Sequence, residues 1–299
     1  MKAIANVDAR AVDYRNEHIL YVEGDEHSID ATVLNVLLGN ILWIQPLGQA
    51  SSIQSAAKSL YPTHPKSYFL IDRDHHVTNK QIDAYWRNFP DLATHNLLVW
   101  RRRAFENYFL DPAFLIQSRF CNDKYKANGG QRLQEKIVSL ASGRLYLEVA
   151  NYVIASLRED FKKNWIDIFS NPSEFPDETA ALERLAQMQE FTDFAKKVTQ
   201  QVAKQAIEAR FQLYFNKMTG GSNPLQWEVG DWVSMVSGKR IFHSLVGLCF
   251  HVTNPNQAGK VLQGKDAINL VARDLLLTGE NLPHDFIKLK KLIEQRVRG

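Results

Sequence analysis

The sequence predicts an α/β fold in which a parallel, Rossmann-like sheet with helices on its faces forms the N-terminal part. Two observations support this prediction. Before Arg103, short apolar segments alternate with helical segments, and the connections between them are short. After Arg103, β-branched runs disappear and long amphipathic helical periods take over. A large helical insertion and a helical C-terminal region are therefore expected to follow the sheet.

The elements of the predicted sheet follow one another in a regular order. The apolar run at positions 18–23 stops at Gly24 and is expected to be a buried strand. Ser28 can cap the next helix, expected over Ile29–Leu38 and ended by Gly39. The remaining expected elements are a strand over Ile41–Ile44, a helix over residues 50–60, and strands over Ser67–Ile71 and Leu97–Trp100.

The middle of the chain is predicted to be helical. Residues 177–218 contain no proline or glycine, so we expect one long helix or two nearly continuous helices there. A glycine-rich linker follows at residues 220–224. We therefore divide the chain into an α/β core over residues 1–118, a helical insertion over 119–220, and a C-terminal region over 221–299 that packs on the core.

Composition excludes several classes of protein. The 299 residues include 36 Lys and Arg against 33 Asp and Glu, and 45% are hydrophobic, so a folded core is expected and disorder is not. Two cysteines are too few for a thiolate zinc site or a disulfide framework. Neither a membrane span nor a signal peptide is recognisable, and we predict a cytoplasmic protein. The absence of a P-loop motif argues against a nucleotide cofactor.

Acidic residues cluster where the predicted strands end. Glu23 and Glu26 follow the first strand, and Asp72 and Asp74 follow the third. Positions two apart in extended backbone point to the same side, so Asp72 and Asp74 can face one cation. Glu106 follows the fourth strand. Hard carboxylate oxygens suit Mg²⁺ or Mn²⁺, and the sequence therefore predicts a divalent-cation site at the carboxyl ends of the strands.

Two motifs carry a resemblance to a known family. The order VEGDE followed by an apolar run and D-x-D resembles the TOPRIM fold of primases, topoisomerases and overcoming-lysogenization-defect nucleases. The resemblance covers about the first 115 residues and implies that Glu23, Asp72 and Asp74 surround one ion, while Glu26 and Glu106 serve a second. Two such ions would support phosphodiester cleavage. Many TOPRIM domains place an acid where this chain has His27, which leaves Asp25 and Glu26 as alternatives; we favour Glu26.

Basic residues near these acids are candidates for contact with phosphate. Arg101, Arg102 and Arg103 precede Glu106 and can form bidentate bonds to phosphate oxygens. Lys239 and Arg240 precede an apolar helix, and the resemblance implies that Lys239 neutralises charge in the transition state. His75 and His76 adjoin the D-x-D motif, where one imidazole can transfer a proton.

Chain length, the helical middle and the VEGDEH block are most similar to nuclease effectors of the PARIS anti-phage defence system. This resemblance implies an effector held inactive by an AriA-like, ABC-type ATPase sensor, which on release dimerises and cleaves host tRNA. Two alternatives stay open. LIDRDHHVT is similar to the start of haloacid-dehalogenase phosphatases, and a TOPRIM module without activity would only dock on an ATPase.

Overall fold

The computed structural model describes most of the chain after residue 17. The described residues are 18–61, 63–73, 79–89, 95–163, 173, 177–254, 257, 259–278 and 280–298. Asp74, His75 and His76, which the sequence places among the candidate site residues, lie outside these ranges.

A parallel sheet forms the core of the N-terminal part. Among the described residues it has four strands in the order β2-β1-β3-β4, with β1 at Ile19–Val22, β2 at Trp43–Pro46, β3 at Ser67–Ile71 and β4 at Leu97–Val99. Every residue of β1 and β3 is buried. The α/β class predicted from the sequence is confirmed. Since β2 and β3 flank β1 on opposite sides, the carboxyl ends of β1 and β3 lie at a switch point in the topology, where such sheets bind ligands.

Helices form most of the described structure outside the sheet. They are α1 (Ile29–Leu38), α2 (Ala50–Leu60), α3 (Asn79–Asn88), a 3-10 helix (Phe105–Phe109), α4 (Pro112–Leu115), α5 (Asp123–Ser142), α6 (Leu145–Lys163), α7 (Glu178–Ala186), α8 (Gln189–Val202), α9 (Lys204–Thr219), α10 (Trp232–Met235), α11 (Gly238–Cys249), α12 (Gly264–Thr278) and α13 (His284–Arg298). Within the described part of the chain, no helix combines the length and apolar character that a membrane crossing requires.

The structure differs from the predicted elements most clearly in three places, and β1 and β4 each end one residue earlier than expected. β2 begins two residues later than expected, because the backbone N–H groups of Ile41 and Leu42 donate to Leu38 O and extend the turn after α1. Helix α3 lies between β3 and β4, where no helix was expected. Residues 177–218 form three helices, because Met188 and Ala203 adopt extended ψ angles of 112° and 143°.

An aromatic cluster holds the 3-10 helix beneath the end of β4. Trp100, which directly follows β4, packs against Phe286 of α13 with ring centroids 5.7 Å apart, and Phe105 stacks on Phe286 at 5.2 Å. Phe109 stacks on Phe242 of α11 at 4.9 Å. All these rings are buried, and each contributes on the order of 2 kcal/mol through burial alone. This packing therefore fixes Glu106, which lies between Phe105 and Asn107, close to the edge of the sheet.

Candidate functional site

Glu23 connects the ends of the two central strands. It directly follows β1, and its Oε1 accepts a hydrogen bond from the backbone N–H of Asp72 at 2.6 Å. Asp72 directly follows β3, the parallel neighbour of β1. A charged acceptor at this distance makes a strong hydrogen bond. The structure thus brings Glu23 and Asp72 together although 49 positions separate them in the sequence.

Asp72 extends this connection to the 3-10 helix. Its Oδ1 accepts from the backbone N–H of Phe105 at 3.0 Å, so the carboxylate joins the end of β3 to the segment after β4. Glu106 follows immediately and is only 4% exposed. Acids from three separate segments, Glu23, Asp72 and Glu106, therefore meet at one edge of the sheet.

Asp30 is a fourth member of this cluster, which we call the acidic cluster. It lies in the first turn of α1, whose N-terminus is capped by the Ser28 hydroxyl through a 3.3 Å hydrogen bond from Ala31 N–H. Burial, followed by the charges of Glu106 and Glu23, raises the pKa of Asp30 well above its usual value. The partial positive charge of the helix N-terminus favours an anion at this position.

Neighbouring acids of the cluster destabilise the charged forms of Asp30 and Asp72. Burial, and then the charges of Asp30, Glu23 and Glu106, raises the pKa of Asp72 well above its usual value. Burial also raises the pKa of Glu106. Asp30 and Asp72 retain some exposed residue surface, but their carboxyl groups are enclosed. Enclosed acids in mutual repulsion are an environment that a bound cation would stabilise.

Lys239 and His243 reach the acidic cluster from α11. The positive charge of Lys239 lowers the pKa values of Asp30 and Glu106, against the larger effect of burial. One turn further along α11, His243 Nε2 lies 4.0 Å from Glu106 Oε1. Burial, together with the charges of Lys239 and Arg240, lowers the pKa of His243. His243 is therefore neutral over a wider pH range than an ordinary histidine, with one ring nitrogen able to accept a proton.

Asn107 positions α11 relative to the 3-10 helix. Its amide nitrogen donates to Val233 O at 2.7 Å and to Val236 O at 2.9 Å, and its Oδ1 accepts from Ala104 N–H at 3.0 Å and Gly238 N–H at 3.2 Å. The side chain is fully buried. Asn107 and Gly238 are the neighbours of Glu106 and Lys239 respectively, so this amide aligns the acid with the lysine.

The loop between β1 and α1 carries the two alternative acids. Glu26 is exposed, in the same loop as Glu23 and on the same edge of the sheet. Asp25 is also exposed and forms an ion pair with Lys265 of α12, with Nζ at 3.0 and 3.2 Å from its two oxygens. Neither carboxylate is among the charges that raise the pKa values of the acidic cluster. Their part in metal binding, like that of Asp74, stays a prediction.

The three consecutive arginines are engaged by protein groups. Arg101 pairs with Asp83 and lies 3.4 Å from Asp285. Arg102 donates to the Asn107 carbonyl at 2.6 Å, and its guanidinium lies over the Tyr108 ring. Arg103 pairs with Glu148 of α6 and donates to Met235 O at 3.2 Å. These contacts hold the segment after β4 in place; Arg240 of α11 is exposed.

The donor chemistry of the acidic cluster fits a hard divalent cation. Within the described part of the chain, however, no three His, Cys, Asp or Glu side chains stand close enough together to hold a metal ion directly. One oxygen each of Glu23 and Asp72 instead accepts from a backbone N–H group. Their charges act on one another over longer distances than those of metal–ligand bonds. Cation binding would use their remaining oxygens or replace these hydrogen bonds.

Two site residues escaped prediction from the sequence. The sequence does contain a pattern that indicates Asp30. An acid in the first turn of a capped helix that follows a strand faces the carboxyl edge of the sheet. No sequence pattern indicates His243, since its approach to Glu106 depends on the packing of α11 against the 3-10 helix.

Comparison with known proteins does not assign this arrangement to a family. The chain matches no protein-family model and no curated protein.

Proposed function

We propose that this protein is a divalent-cation-dependent nuclease with a TOPRIM-like core, acting as the effector of an anti-phage defence system. The observation that supports the proposal best is the acidic cluster of Glu23, Asp30, Asp72 and Glu106 at the switch point of a parallel sheet, faced by Lys239. Carboxylates gathered at the carboxyl ends of parallel strands are suited to hold Mg²⁺ or Mn²⁺.

Each residue has a distinct role in this proposal. Glu23, Asp72 and Glu106, with Asp74 and Glu26, would hold the metal, which when bound stabilises the attacking and leaving oxygens of a phosphodiester. Asp30 supports these ligands from α1. Lys239 supplies positive charge to a phosphate oxygen, and neutral His243 accepts a proton beside Glu106.

The substrate and partner in this proposal come from the resemblance to the AriB effector of PARIS systems. That resemblance implies tRNA as the substrate, dimerisation of the active protein, and an ABC-type ATPase that keeps it inactive. The exposed apolar side chains of α7 and α8, such as Leu182 and Phe191, are 61% and 46% exposed and favour contact with another protein.

The test is incubation of the purified protein with tRNA and, separately, with DNA, in Mg²⁺ and in EDTA. We expect Mg²⁺-dependent cleavage of tRNA, and a loss of more than about 100-fold in rate for Asp72→Asn. Glu135→Gln, at an exposed acid of α5, is the matched control and should cleave like the wild type. Glu26→Gln and Asp25→Asn, compared with each other, identify the contributing acid of the loop.

Two other outcomes would favour the alternative functions. Turnover of a chromogenic phosphate ester without nucleic acid cleavage would support a phosphatase in which Asp72 is the nucleophile. Absence of any turnover, with Mg²⁺ binding that does not depend on Asp72, would leave a docking module. Asn107 and the acidic cluster would then have only a structural role.

A further inference from the structure

A cavity of about 570 Å³ is lined by Arg73, the residue after Asp72, and we call it the Arg73 cavity. One wall comes from the carboxyl edge of the sheet, through Arg73 and Arg101. Tyr152 of α6 and Tyr214 of α9 also line it, and so does Asp231, which directly precedes α10. Its volume lies within the range of about 300 to 1,000 Å³ that is typical of ligand sites.

Arg73 belongs to the segment that directly follows β3. It is the residue that follows Asp72, and its guanidinium donates to Arg101 O at 2.9 Å and to Asn79 Oδ1 at 2.7 Å. The charges of Asp231 and Asp83 act on it across the cavity. Arg73 therefore links the cavity to the segment that follows β3.

The helical wall of the cavity is held in a defined position. Tyr152 Oη donates to Met235 O at 3.2 Å, and Arg210 of α9 pairs with Asp160 of α6 at 2.6 Å and with Ser156. The Tyr152 and Tyr214 rings lie 5.4 Å apart at an angle of 35°. Tyr152 is buried, whereas Tyr214 is half-buried and offers the accessible aromatic surface.

The lining combines three kinds of group. The lining contains aromatic rings, and it contains equal numbers of basic and acidic side chains. Hydroxyl and amide groups complete it. A site for phosphate alone would not contain so many carboxylates, because they repel an anion. A nucleoside presents an aromatic face for stacking, amino and hydroxyl donors for carboxylates, and an adjoining phosphate for Arg73.

We propose that the Arg73 cavity binds one unpaired nucleotide of the RNA substrate, with its base against Tyr214. This inference rests on the proposed nuclease function for the identity of the substrate. Base stacking in the cavity selects single-stranded or looped regions, since a base within a helix is already stacked on its neighbours.

The test measures binding separately from cleavage. A short fluorescent single-stranded oligoribonucleotide is titrated with the full chain in EDTA, which prevents metal-dependent cleavage. Tyr214→Ala should weaken binding about 5- to 150-fold, the range for loss of one base stack, whereas Tyr214→Phe should bind like the wild type. Tyr214→Leu keeps bulk without an aromatic face and should weaken binding similarly to Tyr214→Ala, which separates stacking from folding. Leu213→Ala, at an exposed neighbour in α9, is the control.

A set of oligoribonucleotides, each lacking the base at one position, identifies the nucleotide in the cavity. At one position, loss of the base and Tyr214→Leu should have non-additive effects, because both remove the same contact. Additivity at every position, or wild-type affinity of Tyr214→Leu, would overturn the proposal.

The same proteins separate failure of this inference from failure of the proposed function. If the wild type cleaves RNA in Mg²⁺ and Asp72→Asn does not, but Tyr214 couples to no base, only the cavity assignment is wrong. If Tyr214 couples to one base and the wild type cleaves nothing, the cavity binds a nucleotide and the nuclease proposal is wrong.

Discussion

Asp30, Asp72 and Glu106 occupy surroundings that disfavour three negative charges at once. Burial is the first cause of the raised pKa in all three, and the remaining acids of the cluster add repulsion for Asp30 and Asp72. Without a cation, these side chains therefore reduce the free energy of unfolding at neutral pH. A loss of folding stability that is localised at a few side chains is typical of functional sites.

The raised pKa values predict a pH dependence of stability in EDTA. Protons bind these acids more tightly in the folded state, so the stability they contribute is complete below their unfolded value, near 3.8 for aspartate, and is lost as pH rises through the folded values. We expect Asp30→Asn to raise the Tm at pH 8 in EDTA, by about 2 to 4 °C for each kcal/mol of repulsion removed, and to flatten the pH profile.

Asp25→Asn serves as the control for this measurement, since Asp25 is exposed and pairs with Lys265. Saturating Mg²⁺ should reduce the advantage of Asp30→Asn over the wild type. A lower Tm for Asp30→Asn in EDTA at pH 8 would show that repulsion within the acidic cluster is not the dominant effect.

The hydrogen bonds of the Asn107 side chain support a separate prediction about stability. Asn107→Asp replaces the two amide donors with a carboxylate oxygen facing the carbonyls of Val233 and Val236, which leaves buried acceptors without a partner. We expect a loss of about 2 to 4 kcal/mol in the free energy of unfolding, measured by urea denaturation. Asn216→Asp, at an exposed position of α9, should change it by less than about 0.5 kcal/mol. Equal effects of the two substitutions would contradict the assigned role of Asn107.

At the scale of helices and strands, local sequence patterns predicted the bounds of elements better than they predicted contacts between distant segments. β1, α1 and β3 were predictable within a residue or two because apolar runs and the Ser28 cap mark their limits. The start of β2 was not, because Ile41 and Leu42 have the apolar character of a strand but complete a turn. The contact between Glu23 and Asp72 follows from strand order, which the sequence alone left open.

The turn between β1 and α1 provides a prediction with a built-in control. Gly24 and Gly48 face each other in a two-residue bridge, with φ of 95° and 85°. A Cβ on Gly24 would lie 2.5 Å from Ser28 Cβ, whereas a Cβ on Gly48 would meet nothing within 4 Å. Gly24→Ala should therefore cost about 2 to 3 kcal/mol and Gly48→Ala about 1 kcal/mol, since both carry backbone strain but only the first adds a clash.

Thermal denaturation of the two variants measures this difference. Gly24→Ala should also reduce catalytic activity at temperatures where the protein remains folded, because the displaced loop carries Glu23 and Glu26. Equal stability of the two variants would mean that the loop relaxes around the new methyl group without cost.

At the scale of the whole molecule, stability is unevenly distributed. The residues of β1 and β3 are all buried, whereas no residue within α7 or α8 is buried. Helices of such length are marginal in water without tertiary packing. The chain thus combines a tightly packed sheet with a peripheral helical segment that gains little from its own core.

Hydrogen exchange should reveal this difference. We expect amides of β1 and β3 to exchange only through global unfolding, and those of α7 and α8 to exchange at least about 100-fold faster than these strands. An added partner protein that covers Leu182 and Phe191 should slow exchange in α7 and α8 selectively. Similar protection of helices and strands in the isolated chain would contradict the proposed distribution of stability.

The hydrogen bonds of Asn107 also determine when during synthesis the site can exist. They join residue 107 to residues 233–238, so Lys239 cannot face Glu106 until about four-fifths of the 299 residues have been made. A ribosome-bound fragment carries the acids without the lysine opposite them. A nascent chain that has not yet reached Lys239 therefore lacks the complete site.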